Sequence, residues 1–186
     1  MRDEPTKNPA VSDAILLGAL RSGWRRAQVV FREMFPRPVS LLELSAGPED
    51  TGGQPYSPQE SIIVGMRFHG SVSGLAALIL ERAAAGRLVE SLFGEARPDH
   101  SEVLSLLVDT SLELGNVVLN AIVAEAGRAL AETYHFDVPT LLSADELEAP
   151  EGARVFLLRG EIAFEASHAA AARVIVHRGP GIPGGR

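Results

Sequence analysis

From Ser12 onward, apolar residues fall at helical intervals. Ile15, Leu16, Leu20, Val29, Val30, Phe31 and Phe35 mark one face until Pro36 and Pro38 stop the pattern. Val39 to Leu44 then reads as a short apolar strand, and Ser45 to Gln59, rich in Gly, Pro and acid, as a loop. Two β-rich runs, Ser61 to Phe68 and Val72 to Leu80, flank His69-Gly70-Ser71 and predict a hairpin. A helix over 81–93 follows, with Ala84, Leu88, Leu92 and Phe93 on its inner side and Gly94 as its stop. The longest helical pattern runs from Ser101 to about Glu132. Beyond it, 135–142 reads as extended, and 154–164 and 169–177 as two further strands.

The order long helix, strand, loop, strand, hairpin turn, strand occurs twice. Residues 12–80 and 101–177 are therefore expected to be two copies of one unit, joined by the helix over 81–93. The fold class that follows is α+β, a pseudo-two-fold repeat. It has a six-stranded, mainly antiparallel sheet and two long helices packed on one face. Residues 1–11 and 179–186 lack an apolar period and are expected to be flexible tails around one domain, 12–178. The Gly-rich tail has neither the lysine nor the hydroxyl residue of a phosphate-binding loop.

Charge narrows the function. The 186 residues carry 17 Lys+Arg against 24 Asp+Glu, a net −7, and Lys7 is the only lysine. Nucleic-acid binding needs clustered cations to release counterions, so it is not expected. Without cysteine there is no disulfide, thiolate metal site or Cys nucleophile. The first ten residues are charged and broken by proline, unlike a signal peptide, and no apolar run approaches the roughly 20 residues that span a bilayer. These features predict a cytoplasmic protein with no membrane insertion. The five histidines never occur at metal-ligand spacing, so no metal site of its own is expected.

The long helix carries the candidate chemistry. At about 100° per residue, Glu102, Ser105, Asp109, Glu113, Asn116 and Asn120 fall within an arc of roughly 80°. Leu104, Leu107, Val108, Leu112, Leu119, Ile122 and Val123 take the opposite side. Gly115 lies among them, where its missing side chain permits a close contact. A polar stripe alone is what any amphipathic helix shows to water.

The spacing within this stripe is more specific. Asp109-x3-Glu113-x2-Asn116, followed after 22 residues by Pro139, resembles the signature of the CheC/CheX/FliY family of chemotaxis phosphatases. LELGNVVLNAI is similar to that family's helix, and IVGMRFHGSVSGLAALIL to the hairpin before it, so the resemblance spans about 12–177. It implies the same six-stranded, two-helix layout. It also implies an activity, hydrolysis of the phosphoryl-aspartate of a CheY-like response-regulator receiver domain.

The roles it implies make Glu113 and Asn116 the catalytic pair. Asn116 orients a water in line with the phosphorus, and Glu113 pairs with the receiver's active-site lysine. Asp109 and Asn120 are supporting polar contacts, and Mg²⁺ belongs to the receiver. Asn120 departs from the family pattern, which usually has a small residue, often glycine, at that place. Aligned through Arg37-Pro38-Val39, the first helix puts Ala14, Gly18 and Arg21 where the acid, Glu and Asn of a second site would stand, so that helix reads as scaffold. A CheD-like deamidase or a second copy of the chain are further partners that the resemblance admits. The runner-up reading is a non-catalytic receiver-binding or flagellar-switch-type interaction module.

Overall fold

The computed structural model describes residues 13–35, 40–48, 57, 59–70, 72–93, 100–163 and 167–177. The expected tails 1–11 and 179–186, the stop at Gly94 and the prolines Pro36 and Pro38 lie outside the described residues. The helices are α1 (Asp13–Met34), α2 (Arg82–Phe93) and α3 (His100–Leu130). The longer strands are β1 (Ser40–Pro48), β2 (Ser61–His69), β3 (Ser73–Glu81), β6 (Arg154–Ala163) and β7 (Ser167–His177). Two short strands, β4 (His135–Phe136) and β5 (Thr140–Leu141), precede β6.

One sheet contains all of these strands, in the order β1-β6-β7-β3-β2-β4, with β5 also on β2. Every pairing among the described residues is antiparallel. Exchanging β1, β2 and β3 with β4/β5, β6 and β7 returns the same order read backwards.

The sheet has seven strands, not the expected six. The segment 135–142 is not one strand. It leaves the ladder at 137–139, because Pro139 has no N–H to donate, and rejoins at Thr140. Asp137 N–H to Arg67 O (3.0 Å) and Leu142 N–H to Ile63 O (2.9 Å) fasten it on either side. A second correction lengthens β1, which runs on through Ser45 to Pro48. There the ten-residue β6 supplies partners that override weak local propensity, across a register shift between Glu43 and Ser45.

Both faces of the central strands are covered, which explains the unbroken apolar run LAALIL in β3. On the helix side, Val64, Met66, Phe68, Ala76, Leu78 and Leu80 meet Trp24 and Phe31 of α1 and Leu114, Val118 and Ile122 of α3. On the other side, Ile63, Leu75, Ala77, Ile79 and Leu157 lie under Leu147. A turn over Asp145–Leu147 carries Leu147 there. The Glu146 carboxylate accepts the Ser143 N–H (2.8 Å) and Oγ–H (3.0 Å), bonds that hold its carboxyl below the usual range.

The stripe that α1 buries is narrower than its apolar pattern. Leu16, Leu20, Trp24, Ala27 and Phe31 face inward, whereas Ile15, Val29 and Val30 face solvent. Only one side of a surface helix meets the core. Leu92 and Leu104 are likewise exposed, contrary to the pattern. By length and composition α3 is apolar enough to cross a membrane, yet its apolar side packs on the sheet and α1.

A Schellman-type cap ends α3, with Glu132 N–H bonded to Gly127 O (2.9 Å) and Ala131 N–H to Arg128 O (3.3 Å). Ala131 sits there at φ 53°, a left-handed position that favours glycine. Ala131→Gly is therefore expected to raise stability by about 0.5–1 kcal/mol, the relief of strain being partly offset by the freer unfolded glycine. The midpoint of urea unfolding checks this, and a lower midpoint would contradict it.

Candidate functional site

The outer flank of α3 is fixed by what its inner flank touches. At Gly115 a β-carbon would stand 2.3 Å from Val64 Cγ1, so α3 lies directly on β2 at that turn. Glu113 and Asn116, on either side of Gly115, are thereby held outward on a turn that cannot sink or roll without losing this contact. Both are exposed, as is Asp109 one turn earlier. Asn120, one turn later, is partly buried, and its Nδ2–H donates to Asn116 Oδ1 at 2.6 Å. The four residues singled out in sequence therefore share one solvent-facing flank. Pro139, partly buried, leads into β5, which touches α3.

A second set of side chains borders this flank, and the sequence reading did not find it. Phe136 pairs with Phe68 and Leu141 with Val64. Residues opposite one another in an antiparallel ladder point to the same face. Phe68 and Val64 belong to the core under the helices, so Phe136 and Leu141 lie on the helix side of the sheet, beside α3. Both are 44% exposed, and Val138 between them is 81% exposed. Between Phe136 and the last turns of α3 is an open hollow of about 340 Å³, lined by Val123, Ala124, Gly127, Arg128 and Tyr134 among others. Of its helical residues, Gly127 follows Asn120 by two turns at nearly the same angular position. The signal lay in the apolar Phe136, Val138 and Leu141, but which face they occupy depends on pairing with β2.

The corresponding surface of α1 differs. Ala14, Gly18 and Arg21 are exposed, and Arg21 is tied to β1 through Glu43 Oε1 (3.0 Å) and Ala46 O (3.1 Å). Arg25 and Arg26 are exposed and reach Glu43 and Glu125 at 3.9 and 3.7 Å. His69 lies 3.8 Å from Asp137. Among the described residues, no three His, Asp or Glu side chains gather closely enough to hold a metal ion.

Chemically, the α3 flank offers two carboxylates and two carboxamides in water. Asp109, Glu113, Asn116 and Asn120 include no hydroxyl, thiol or imidazole nucleophile. Such a set binds cations and orients water or polar groups of something placed against it.

No protein-family model matches the chain, and no curated protein sequence does. Solved structures do match. A chain of the CheX–CheY–BeF3–Mg2+ complex from Borrelia burgdorferi superposes with a TM-score of 0.62 at 15% identity, over 87% of this chain and 99% of that one. Chemotaxis protein CheX from Desulfovibrio desulfuricans gives 0.61 at 11% identity, over 86% and 99%. A chain of the FliG–FliM complex from H. pylori gives 0.58 at 12% identity, over 89% and 94%. The protein is thus an α+β chain with antiparallel strands under two long helices. Its fold is that of the CheC/CheX/FliY family, as the sequence resemblance implied. Identities this low establish fold, and function has to be argued from the site.

Proposed function

We propose that the chain is a phosphatase for the phosphoryl-aspartate of a CheY-like receiver domain, acting in chemotaxis or another two-component pathway. The observation that carries this reading is the pair Glu113 and Asn116, three residues apart and both open to solvent, on a helix wedged against β2 at Gly115. Phosphoryl transfer needs positioning and charge stabilisation more than covalent chemistry, and this flank supplies positioning. The Asn116 carboxamide orients a water in line with phosphorus. The new P–O bond forms as the bond to the aspartyl oxygen breaks, the aspartate leaves as carboxylate, and inorganic phosphate takes up the water's oxygen together with its protons.

Glu113 pairs with the receiver's lysine, and Asp109 adds a polar contact at the rim. Mg²⁺ remains on the receiver, as the CheX–CheY complex containing Mg2+ supports. Phe136, Val138 and Leu141 supply the apolar contact that a polar stripe lacks, since stable interfaces bury about 800 Å² per partner around an apolar centre. In this scheme α1, with Ala14, Gly18 and Arg21 in place of a second site, is the scaffold half of a pseudo-repeat.

The second reading is an interaction module that binds without hydrolysing, favoured by the likeness to a chain of the FliG–FliM complex. A time course of phosphoryl-receiver decay separates the two. CheY-type receivers charged with a small acyl phosphate are expected to lose phosphate several-fold faster with this chain than alone. Unchanged decay with measurable binding would establish the module instead.

A further inference from the structure

We infer that Asn120 is a positioning residue that sets which end of the Asn116 carboxamide faces a docked receiver. This deepens the phosphatase reading and rests on it. A carboxamide has an accepting end and a donating end of nearly equal volume, and half a turn about its last torsion exchanges them. An exposed Asn116 with no partner would sample both orientations. Here Asn120, one helical turn on and partly buried, donates Nδ2–H to Asn116 Oδ1 at 2.6 Å. Reversal of Asn116 alone would set two N–H groups against each other.

The bond takes one of the two Oδ1 lone pairs. The other accepts a hydrogen bond from the attacking water, which leaves a water lone pair free to face phosphorus. Asn116 Nδ2 keeps both of its protons for the receiver side. A small residue at position 120 would leave this orientation to the partner, whereas this chain sets it before docking. Preorganisation of this kind acts on the rate of the chemical step and leaves affinity almost untouched.

Four substitutions and two measurements test the inference. Asn120→Ala removes the donor. Asn120→Asp offers only an acceptor and so turns Asn116 around, while Asn120→Gln retains a donor. In receiver dephosphorylation, Asn120→Ala is expected to lower kcat about tenfold with KM unchanged, short of the ~10²-fold that misplacing a reacting group costs. Asn120→Asp is expected to fall further, and Asn120→Gln to recover most of the parental rate. A parental kcat in Asn120→Ala, an Asn120→Asp variant as fast as Asn120→Ala, or a loss confined to KM would each overturn the positioning role.

The bond is also read without activity. In the ¹H–¹⁵N spectrum of the free protein, the Asn120 side-chain signals are expected to move in Asn116→Ala, and signals that stay in place would overturn the inference. If they move but the parent hydrolyses no receiver, the phosphatase reading falls and the bond is left with a structural role only. If the parent is active and the Asn120 variants match it, the positioning role alone falls.

Discussion

Asn116→Ala is expected to lower the rate of receiver dephosphorylation by about 10²- to 10³-fold, equivalent to ~3–4 kcal/mol of barrier, while affinity for the phosphorylated receiver stays within about threefold. The split follows from the geometry. Asn116 is exposed on the outer flank of α3, its backbone held by the helix and its neighbour Gly115 by Val64, so truncation removes a carboxamide and disturbs no core contact. Affinity on this reading comes from Glu113 and the apolar border at Phe136, Val138 and Leu141, none of which the substitution touches. Glu113→Ala should therefore behave in the opposite way, weakening the complex first. Two measurements decide the matter: the decay constant at saturating phosphatase, and a titration against a beryllofluoride-activated receiver. A parental rate in Asn116→Ala would remove the water-orienting role, and a proportional loss of affinity would make Asn116 a docking residue.

The α3 flank is legible in the sequence because helical periodicity is local. Asp109, Glu113, Asn116 and Asn120 share a face on any regular helix, and the observed exposure depends only on which side meets the sheet. The Leu-rich opposite side announced that. The hairpin of β2 and β3 was equally local, marked by the turn at 69–71 between two β-rich runs. In each case the information lies within a few residues of where it acts.

Non-local pairing set what was missed. Nothing within Ser45 to Pro48 marks a strand, and these residues are extended because β6 lies alongside. Pro139 indicated a break in the ladder, yet the number of strands depends on β2 accepting partners both before and after it. The border of Phe136 and Leu141 was hidden for the same reason. The face that each occupies is inherited from Phe68 and Val64, about seventy residues upstream in the chain. Side-chain bonding is intermediate: the spacing of Asn116 and Asn120 allows a bond, and the fold gives it a donor and an acceptor.

Gly23→Ala is expected to destabilise the protein by about 2–3 kcal/mol, and Gly18→Ala, on the same helix, to stabilise it by about 0.5–1 kcal/mol. Alanine is the better helix former at both positions, so propensity alone predicts two gains of similar size. The surroundings decide the sign. At Gly18 a β-carbon meets nothing within 4 Å. At Gly23 it would stand 2.3 Å from Ile122 Cα, 2.7 Å from Ile122 N and 3.0 Å from the Ala121 carbonyl carbon. These are backbone atoms of α3 and no rotamer change can move them, so α1 and α3 would have to part by more than an ångström to reach ordinary contact. Parting them opens the layer filled by Trp24, Phe31, Val118 and Ile122, and its packing loss exceeds the propensity gain. At roughly 2–4 °C per kcal/mol for a domain of this size, the two variants should melt on opposite sides of the parent, Gly23→Ala lower by about 4–12 °C. If it melts with or above the parent, the helices do not meet at backbone distance.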